Sequence, residues 1–474
     1  EWLDPAWQGR ERLPAWREAF GLAHNPTGEA DVSLLSPHRR RLAYDELLAH
    51  QLALAQRKAA RRAQPAPRVG PSPLADAAEK ALPFKLTGAQ IRALSEVRGD
   101  LASGERMSRL LQGDVGSGKT VVAMLAVTDA AGAGLQSAFM APTEILARQH
   151  YETMAEPLAA LGLSVILLTG RDKGSARAAK LAGLANGAHA VAIGTHALFQ
   201  DDVAFKTLGL AIIDEQHRFG VNERRRLQAK GPQGEDGGVH LLAMSATPIP
   251  RTLELTVFGD LDVSRIDEKP PGRTPVETVV VSDEKLPDVV SGIGRHIAGG
   301  GQAYWVCPLV EENDASDLAA AEERAAMLKL RFGDKVGLVH GRMKGPEKDA
   351  VMERFSSGEL SLLVATTVIE VGVNVPNASI MVIEQAERFG LAQLHQLRGR
   401  VGRGARESSC VLLYDLPLSD TAQQRLDILR KSDDGFEIAE EDLELRGGGD
   451  PHRRLLDGVQ GQRLQGQLRG RVDS

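Results

Sequence analysis

The sequence predicts an α/β protein of two tandem parallel-sheet lobes, with a helical segment before them and a short element after. Short, continuous apolar runs alternate with helical patterns from Pro83 to about Asp267, and a second such series runs from Ala303 to Tyr414. Runs of this kind fit parallel strands covered on both faces. A Gly-rich strand–loop–helix pattern, Gly113–Thr120, opens the first series. The length of 474 residues allows about three domains at roughly 100–200 residues each.

Composition narrows the class. Apolar residues make up 42% and charged residues 25%, which is globular usage and excludes a wholly disordered chain. No apolar run is long enough for a membrane span, and Glu1-Trp2-Leu3 does not open a secretory signal. The two cysteines, Cys307 and Cys410, sit inside apolar runs, which excludes a disulfide framework and fits a reducing cytosol. The 57 basic and 63 acidic residues give a net charge of −6, so composition alone does not announce a nucleic-acid binder.

Along the chain, residues 1–36 show no clean period. A helix is expected from Ser36, a good N-cap followed by Pro37 at the first helical position. Tyr44, Leu47, Leu48, Leu52 and Ala55 fall at helical spacing along it. Gln64–Pro73 reads as a semi-rigid linker. Strands are expected at Arg109–Leu111, Ala138–Ala141, Val191–Ile193, Leu210–Ile213 and Leu241–Met244. In the second lobe they are expected at Ala303–Cys307, Gly337–Val339, Leu362–Ala365, Ile380–Ile383 and Val411–Tyr414. A Pro/Gly stretch, Lys269–Arg273, separates the two series, and the Arg-, Gln- and Gly-rich end from Pro451 is expected to be poorly ordered.

Gly113–Thr120 (GDVGSGKT) matches G-x-x-x-x-G-K-[ST] in the required context. Its backbone N–H groups (Gly113, Asp114, Val115, Gly116, Ser117, Gly118) would cradle phosphate at a helix N-terminus. Lys119 is expected to reach the β- and γ-phosphates and Thr120 to ligate Mg²⁺. Asp214 and Glu215 end an apolar run, at the edge where α/β sheets bind ligands. An isolated acidic pair is more often a strand-end cap. With the phosphate loop upstream, Asp214 suits Mg²⁺ and Glu215 suits orienting and deprotonating water. A phosphate loop alone leaves kinases, GTPases and ATPases open.

Further motifs separate these. Ala141-Pro142-Thr143-Glu144, Gly194-Thr195-His196, Asp214-Glu215-Gln216-His217, Ser245-Ala246-Thr247 and Ala365-Thr366-Thr367 stand in order along the chain. Glu370–Asn374 and Gln396–Arg403 follow, the latter placing Arg400 and Arg403 three apart, expected on one helix face. The ordered set resembles superfamily 2 helicases and translocases. It resembles most the RecG family of bacterial branched-DNA translocases, through Leu82–Gln90, Gly113–Thr120, Asp214–Val221, Met244–Leu253, Pro270–Pro275, Val339–Lys344, Val364–Asn377, Gln393–Gly404 and Ser432–Arg446. The transcription-repair coupling factor shares the motor, but usually has Glu at the position of Gln216 and a bulky aromatic at that of Ser117.

The resemblance implies RecA-like lobes, with a helical linker region at 1–81 following an absent wedge domain. The ATP-binding lobe would span 82–268, the C-terminal lobe 269–430, and a translocation element with a tail 431–474. It implies an ATP- and Mg²⁺-dependent duplex-DNA translocase that reverses stalled forks and migrates Holliday junctions, monomeric, bacterial cytoplasmic and nucleoid-associated, with single-stranded-DNA-binding protein as a possible partner and no membrane association. In it Gln90 would read adenine, and Arg400 and Arg403 would face the γ-phosphate from the second lobe. Gly372 and Gln396 would line that interface. His217 and Thr247 would couple phosphate state to DNA grip, Thr143, Thr195, Thr366 and Thr367 would touch DNA phosphates, and Arg446 would lie in the translocation element. The end departs from the family: Gly447-Gly448-Gly449-Asp450 stands where Gly-Pro-Gly is usual. A fragment that binds DNA and ATP without remodelling stays open as an alternative. A small-molecule kinase leaves the paired arginines unexplained.

Overall fold

The computed structural model describes residues 2–33, 35–215, 230, 238–250, 261–270, 275–308, 314–366, 375, 377–402 and 406–445. The chain divides into two compact units: residues 1–63 with 251–261, and residues 64–250 with 262–474.

In the first unit, α1 (Pro5–Arg10), α2 (Trp16–His24) and α3 (Glu29–Val32) precede the 26-residue α4 (Pro37–Arg62). Ser36 is the N-cap residue and Pro37 the first helical residue, as the sequence requires. The buried face of α4 differs from the expected one. Leu47 and Leu52 are about half exposed, whereas Arg41 is fully buried. Arg41 Nε donates to Asp45 Oδ2 at 2.9 Å and its NH1 to the Pro14 carbonyl at 3.1 Å, while Trp2 Nε1 donates to Asp45 Oδ1 at 3.2 Å. A buried charge is tolerated when paired and hydrogen-bonded in this way, so a polar network takes the place the apolar stripe was expected to hold.

In the second unit, Gln64–Pro73 is no free linker. Ala66 and Val69 are buried, their N–H groups donate to Gly104 and Leu101 carbonyls, and Pro65 forms an antiparallel bridge with Glu105. Next, α5 (Pro73–Lys80) packs on the first lobe, with Ala78 in its core. Residues 64–81 therefore group with the first lobe rather than with the preceding helices.

The first lobe is a seven-stranded parallel sheet: β1 (Ser108–Gly113), β2 (Gln136–Met140), β3 (Val165–Leu168), β4 (Val191–Gly194), β5 (Leu208–Ile213), β6 (His240–Ser245) and β7 (Asp262–Ile266), in the order β3-β4-β2-β5-β6-β1-β7. α6 (Gly88–Ser103), α7 (Lys119–Gly132), α8 (Glu144–Ala160) and α9 (Gly174–Asn186) accompany it. The second lobe is a six-stranded parallel sheet: β8 (Val276–Ser282), β9 (Gln302–Cys307), β10 (Val336–Val339), β11 (Leu362–Thr366), β12 (Ala378–Ile383) and β13 (Ser408–Tyr414), in the order β10-β11-β9-β12-β13-β8. Its helices are α10 (Leu286–Ala298), α11 (Asp314–Phe332), α12 (Gly345–Ser356), α13 (Leu391–Arg398) and α14 (Asp420–Lys431), followed by α15 (Gly435–Leu445).

Every expected strand is present, and both cysteines are free and buried. Burial pushes the Cys410 thiol up to about 12. Among the described residues no helix is long and apolar enough to cross a membrane. The expected disorder from Pro451 lies outside the described residues.

Candidate nucleotide site in the cleft between the lobes

The site starts at the end of β1. Gly116 and Gly118 take φ of 80° and 89°, so the loop turns through left-handed backbone before α7 begins at Lys119. No side chain caps the N-terminus of α7, leaving its first N–H groups and dipole for an anion. Lys119 Nζ donates to the carbonyls of Gly113 at 2.6 Å and Asp114 at 2.9 Å. Burial holds the Lys119 ammonium below its usual range; the charges of Asp214, Glu215 and Asp114 oppose that shift, and Arg400 adds to it.

The acidic pair follows β5. Asp214 is 9% exposed, its Oδ2 lies 2.8 Å from His150 Nε2 on α8, and its Oδ1 accepts from the Glu215 N–H at 3.0 Å. Burial pushes the Asp214 carboxyl up, but the bond and charge of His150, and Lys119 beyond it, outweigh burial and keep it ionised. Glu215 has a φ of 50°, a left-handed conformation that costs a non-glycine residue about 1–3 kcal/mol. Strain of this kind is kept where the surroundings fix a side chain for a purpose.

The donor set fits magnesium. Thr120 and Asp214 offer hard oxygens, which suit an ion that keeps several of its own waters. Among the described residues no three His, Cys, Asp or Glu side chains are grouped so as to hold a metal ion among themselves.

Gln90 sits elsewhere in the network than adenine reading alone would require. It is 2% exposed and completes a capping box with Thr87 at the start of α6, and its Nε2 donates to the Ser117 carbonyl at 2.8 Å. A Cβ on Gly118 would come 2.2 Å from that nitrogen. Gln90 thus fixes the back of the phosphate loop.

The second lobe closes on this loop. A Cβ at Gly399 would stand 3.0 Å from the Val115 Cβ, and the neighbouring Arg400 is close enough for its charge to act on Lys119. Arg400 lies in the turn after α13, which ends at Arg398, and so not on a helix face as expected. The helical ladder ends with the Gly399 N–H on the His395 carbonyl, and the Arg400 N–H then turns back on Leu397, three residues earlier. Gln396 is half-buried on α13. Arg403, Gly372, Gln216, His217, Thr367 and Arg446 lie outside the described residues.

The remaining expected residues stand at strand ends. Thr143 is the N-cap of α8, its hydroxyl accepting from the Leu146 N–H at 3.3 Å. Thr195 and Thr366 follow or end β4 and β11, and their buried hydroxyls have no hydrogen-bond partner. Thr247 is tied into its own turn, its hydroxyl 2.8 Å from Ser245 Oγ. A larger cavity, about 850 Å³, opens between α8 and α12 and is lined by Glu144, Glu152, Asp349 and Glu353 beside Arg148 and Arg171. Its excess of carboxylates is the wrong sign for phosphate.

Sequence reasoning missed His150, His395 and Arg398. His150 lies two helical turns after Thr143, but its partner, Asp214, is 64 residues away, and no local pattern joins the two. His395 adjoins Gln396 but meets its partner, Asp114, across the cleft.

Two family models match the chain: DEAD/DEAH box helicase over residues 87–256, and helicase conserved C-terminal domain over residues 284–405. The chain is 53% identical to the ATP-dependent DNA helicase RecG of Escherichia coli (strain K12), over 94% of this chain and 64% of that protein. It is 48% identical to RecG of Bacillus subtilis (strain 168), over 93% of this chain and 64% of that protein. The chain thus spans a little under two thirds of these relatives. Among solved structures it is similar to RecG bound to a three-way DNA junction, with a TM-score of 0.79 and 45% identity, covering 95% of this chain and 59% of that one. Dbp5 of S. cerevisiae bound to RNA and ADP BeF3 shares the fold, with a TM-score of 0.57 at 18% identity over 78% of this chain and 92% of that one.

Proposed function

The chain belongs to the RecG family of DNA helicases, and from that premise and the cleft geometry we propose that it hydrolyses ATP to move along duplex DNA. The observation that carries the reading is the composite site: Gly399 of the second lobe seats on Val115 of the phosphate loop, and this brings the next residue, Arg400, to the same cleft. Hydrolysis that needs groups from both lobes needs a closed cleft, and this turns the chemical cycle into relative motion.

In this reading Lys119 leaves the loop carbonyls for the phosphates. Thr120 and Asp214 hold magnesium, which when bound neutralises phosphate charge. Glu215 orients the attacking water and takes its proton. Arg400 and Arg403 stabilise charge developing on the transferred phosphoryl group, a role worth about 10³–10⁵ in rate. Gln90 keeps the loop in shape and, through its remaining amide hydrogen, contacts the base, while Gly372 and Gln396 line the interface. Thr143, Thr195, Thr366 and Thr367 bind DNA phosphates without reading sequence. His217 and Thr247 relay phosphate state to that grip, and Arg446 belongs to the translocation element.

The proposed substrates are forks and Holliday junctions, acted on by a monomer in the bacterial cytoplasm at the nucleoid, with single-stranded-DNA-binding protein as a partner. The test is ATP hydrolysis with and without duplex DNA, beside a fork-reversal assay. DNA-stimulated turnover with fork reversal is expected. Stimulated turnover without reversal would restrict the chain to DNA-dependent ATP hydrolysis, and turnover indifferent to DNA would overturn the reading.

A further inference from the structure

Asp114 differs from its neighbours in the phosphate loop. Its carbonyl accepts from Lys119 Nζ, but its carboxylate is spent on the second lobe. Oδ1 lies 2.9 Å from His395 Nε2 on α13, and Oδ2 accepts at 3.3 Å from the N–H of Gly435, the first residue of α15. Behind the imidazole, Arg398 NH2 lies 2.8 Å from Nδ1. A guanidinium only donates, so Nδ1 accepts and Nε2 carries the hydrogen given to Asp114. Arg398 is 4% exposed, and its NH1 donates to the carbonyls of Leu429 at 2.6 Å and Ser432 at 2.8 Å. Those carbonyls belong to the end of α14 and the turn that leads into α15. Bonds therefore run without a break from the phosphate loop through α13 to the α14–α15 connection.

Gly435 is the point where these elements meet. A Cβ there would fall 2.0 Å from Asp114 Oδ1, 2.6 Å from His395 Nε2 and 2.7 Å from Pro248, which follows Ser245-Ala246-Thr247. The close approach of α15 requires the bare backbone.

We propose that the Asp114–His395 bond couples the phosphate loop to α15, with His395 the positioning residue that passes the nucleotide state of the first lobe to the element beyond the second. The inference deepens the translocase reading and rests on it. Lys119 cannot hold both the Asp114 carbonyl and a phosphate in its present pose. When it leaves, the Asp114 peptide is released, and the side chain on the same Cα bears on both His395 and α15. Reseating Asp114 must move these two helices or break two hydrogen bonds. His395 shares no atom with the phosphates and acts only through Asp114.

The test uses His395→Gln, His395→Ala and Gly435→Ala in the 474-residue chain. A glutamine amide presents one donor and one acceptor spaced much like the ring nitrogens, so it can keep both bonds; alanine keeps neither. The first readout is hydrogen–deuterium exchange over Gly435–Leu445, with and without a magnesium complex of non-hydrolysable ATP analogue. The unsubstituted chain and His395→Gln are expected to change exchange there on nucleotide addition. His395→Ala is expected not to, while its phosphate-loop peptides still respond. The second readout is base pairs moved per ATP hydrolysed on duplex DNA, expected to fall about fivefold or more in His395→Ala and Gly435→Ala and to stay within about twofold in His395→Gln. An intact α15 response and yield in His395→Ala would overturn the proposal, as would failure of a folded His395→Gln alongside the alanine variant. Should His395→Ala not fold, Gly435→Ala against His395→Gln decides the same question. If the unsubstituted chain shows no DNA-stimulated hydrolysis, the translocase reading fails, and the exchange readout still decides whether α15 follows the phosphate loop.

Discussion

Among the described residues Lys119 bonds to two loop carbonyls, so its removal should spare the fold and end the chemistry. Lys119→Ala is expected to reduce DNA-stimulated ATP hydrolysis about 10²-fold or more with the melting transition retained. Normal turnover in that variant would show that phosphate binds elsewhere. His150 acts at one remove, through Asp214. A group that orients a metal-holding carboxylate typically governs affinity by about 10–100-fold, so His150→Ala is expected to raise half-saturating magnesium by about tenfold. A magnesium titration of the ATPase reads this, and an unchanged midpoint would reduce His150 to packing against Phe139, whose ring lies 4.5 Å from its own. Magnesium withdrawal by a chelator should stop turnover while leaving the melting transition in place, since both lobes have apolar cores of their own.

At the scale of elements, β1, its loop and α7 were legible because their chemistry is local: glycines at fixed offsets, then Lys119 and Thr120. The central strands were legible for a different reason, since a strand covered on both faces is apolar throughout. Two edge strands are harder to read. β7 reads Asp-Val-Ser-Arg-Ile, which gives no continuous apolar run, and β8 reads Val-Glu-Thr-Val-Val-Val-Ser, whose three valines follow a polar pair. Val165–Leu168 meets the apolar criterion, yet β3 was not among the expected strands. The contacts made by Asp114, His395 and Gly435 were not legible, because they join residues 281 and 321 positions apart, and no local pattern encodes them. Acid offers a test of this link. Burial pushes the Asp114 carboxyl up, but the hydrogen bond from His395, the Gly435 N–H and the charge of Lys269 hold it below its usual range. A depressed carboxyl stabilises the fold above its unfolded value of about 3.9, and that contribution fades as pH falls through the lower folded value. Melts from about pH 7 to about pH 3 should therefore converge for the unsubstituted chain and Asp114→Asn only at the acid end. A difference that is constant with pH would mean that the carboxylate's charge is not what holds the lobes.

For the whole molecule, the distribution of charge sets how DNA would be held. The chain carries a net charge of −6, and the expected DNA contacts at Thr143, Thr195 and Thr366 are hydroxyls at strand ends rather than a basic face. Salt dependence of binding counts the phosphates neutralised by Lys and Arg, because each releases condensed counterions. A motor that must let go at every cycle gains from few such neutralisations, since each adds to the cost of release. Duplex affinity is therefore expected to fall with log salt at a slope shallower than about −5, against about −10 for a repressor built on phosphate–cation contacts. Equilibrium titration of a labelled duplex at several potassium concentrations measures it. A steep slope would place the DNA on a cationic surface rather than on the strand-end hydroxyls, and Thr195→Val would then leave affinity unchanged. A shallow slope together with weaker binding by Thr195→Val would tie the grip to the same sheet edges that carry the nucleotide site, so that closing the cleft and shifting the DNA are one movement.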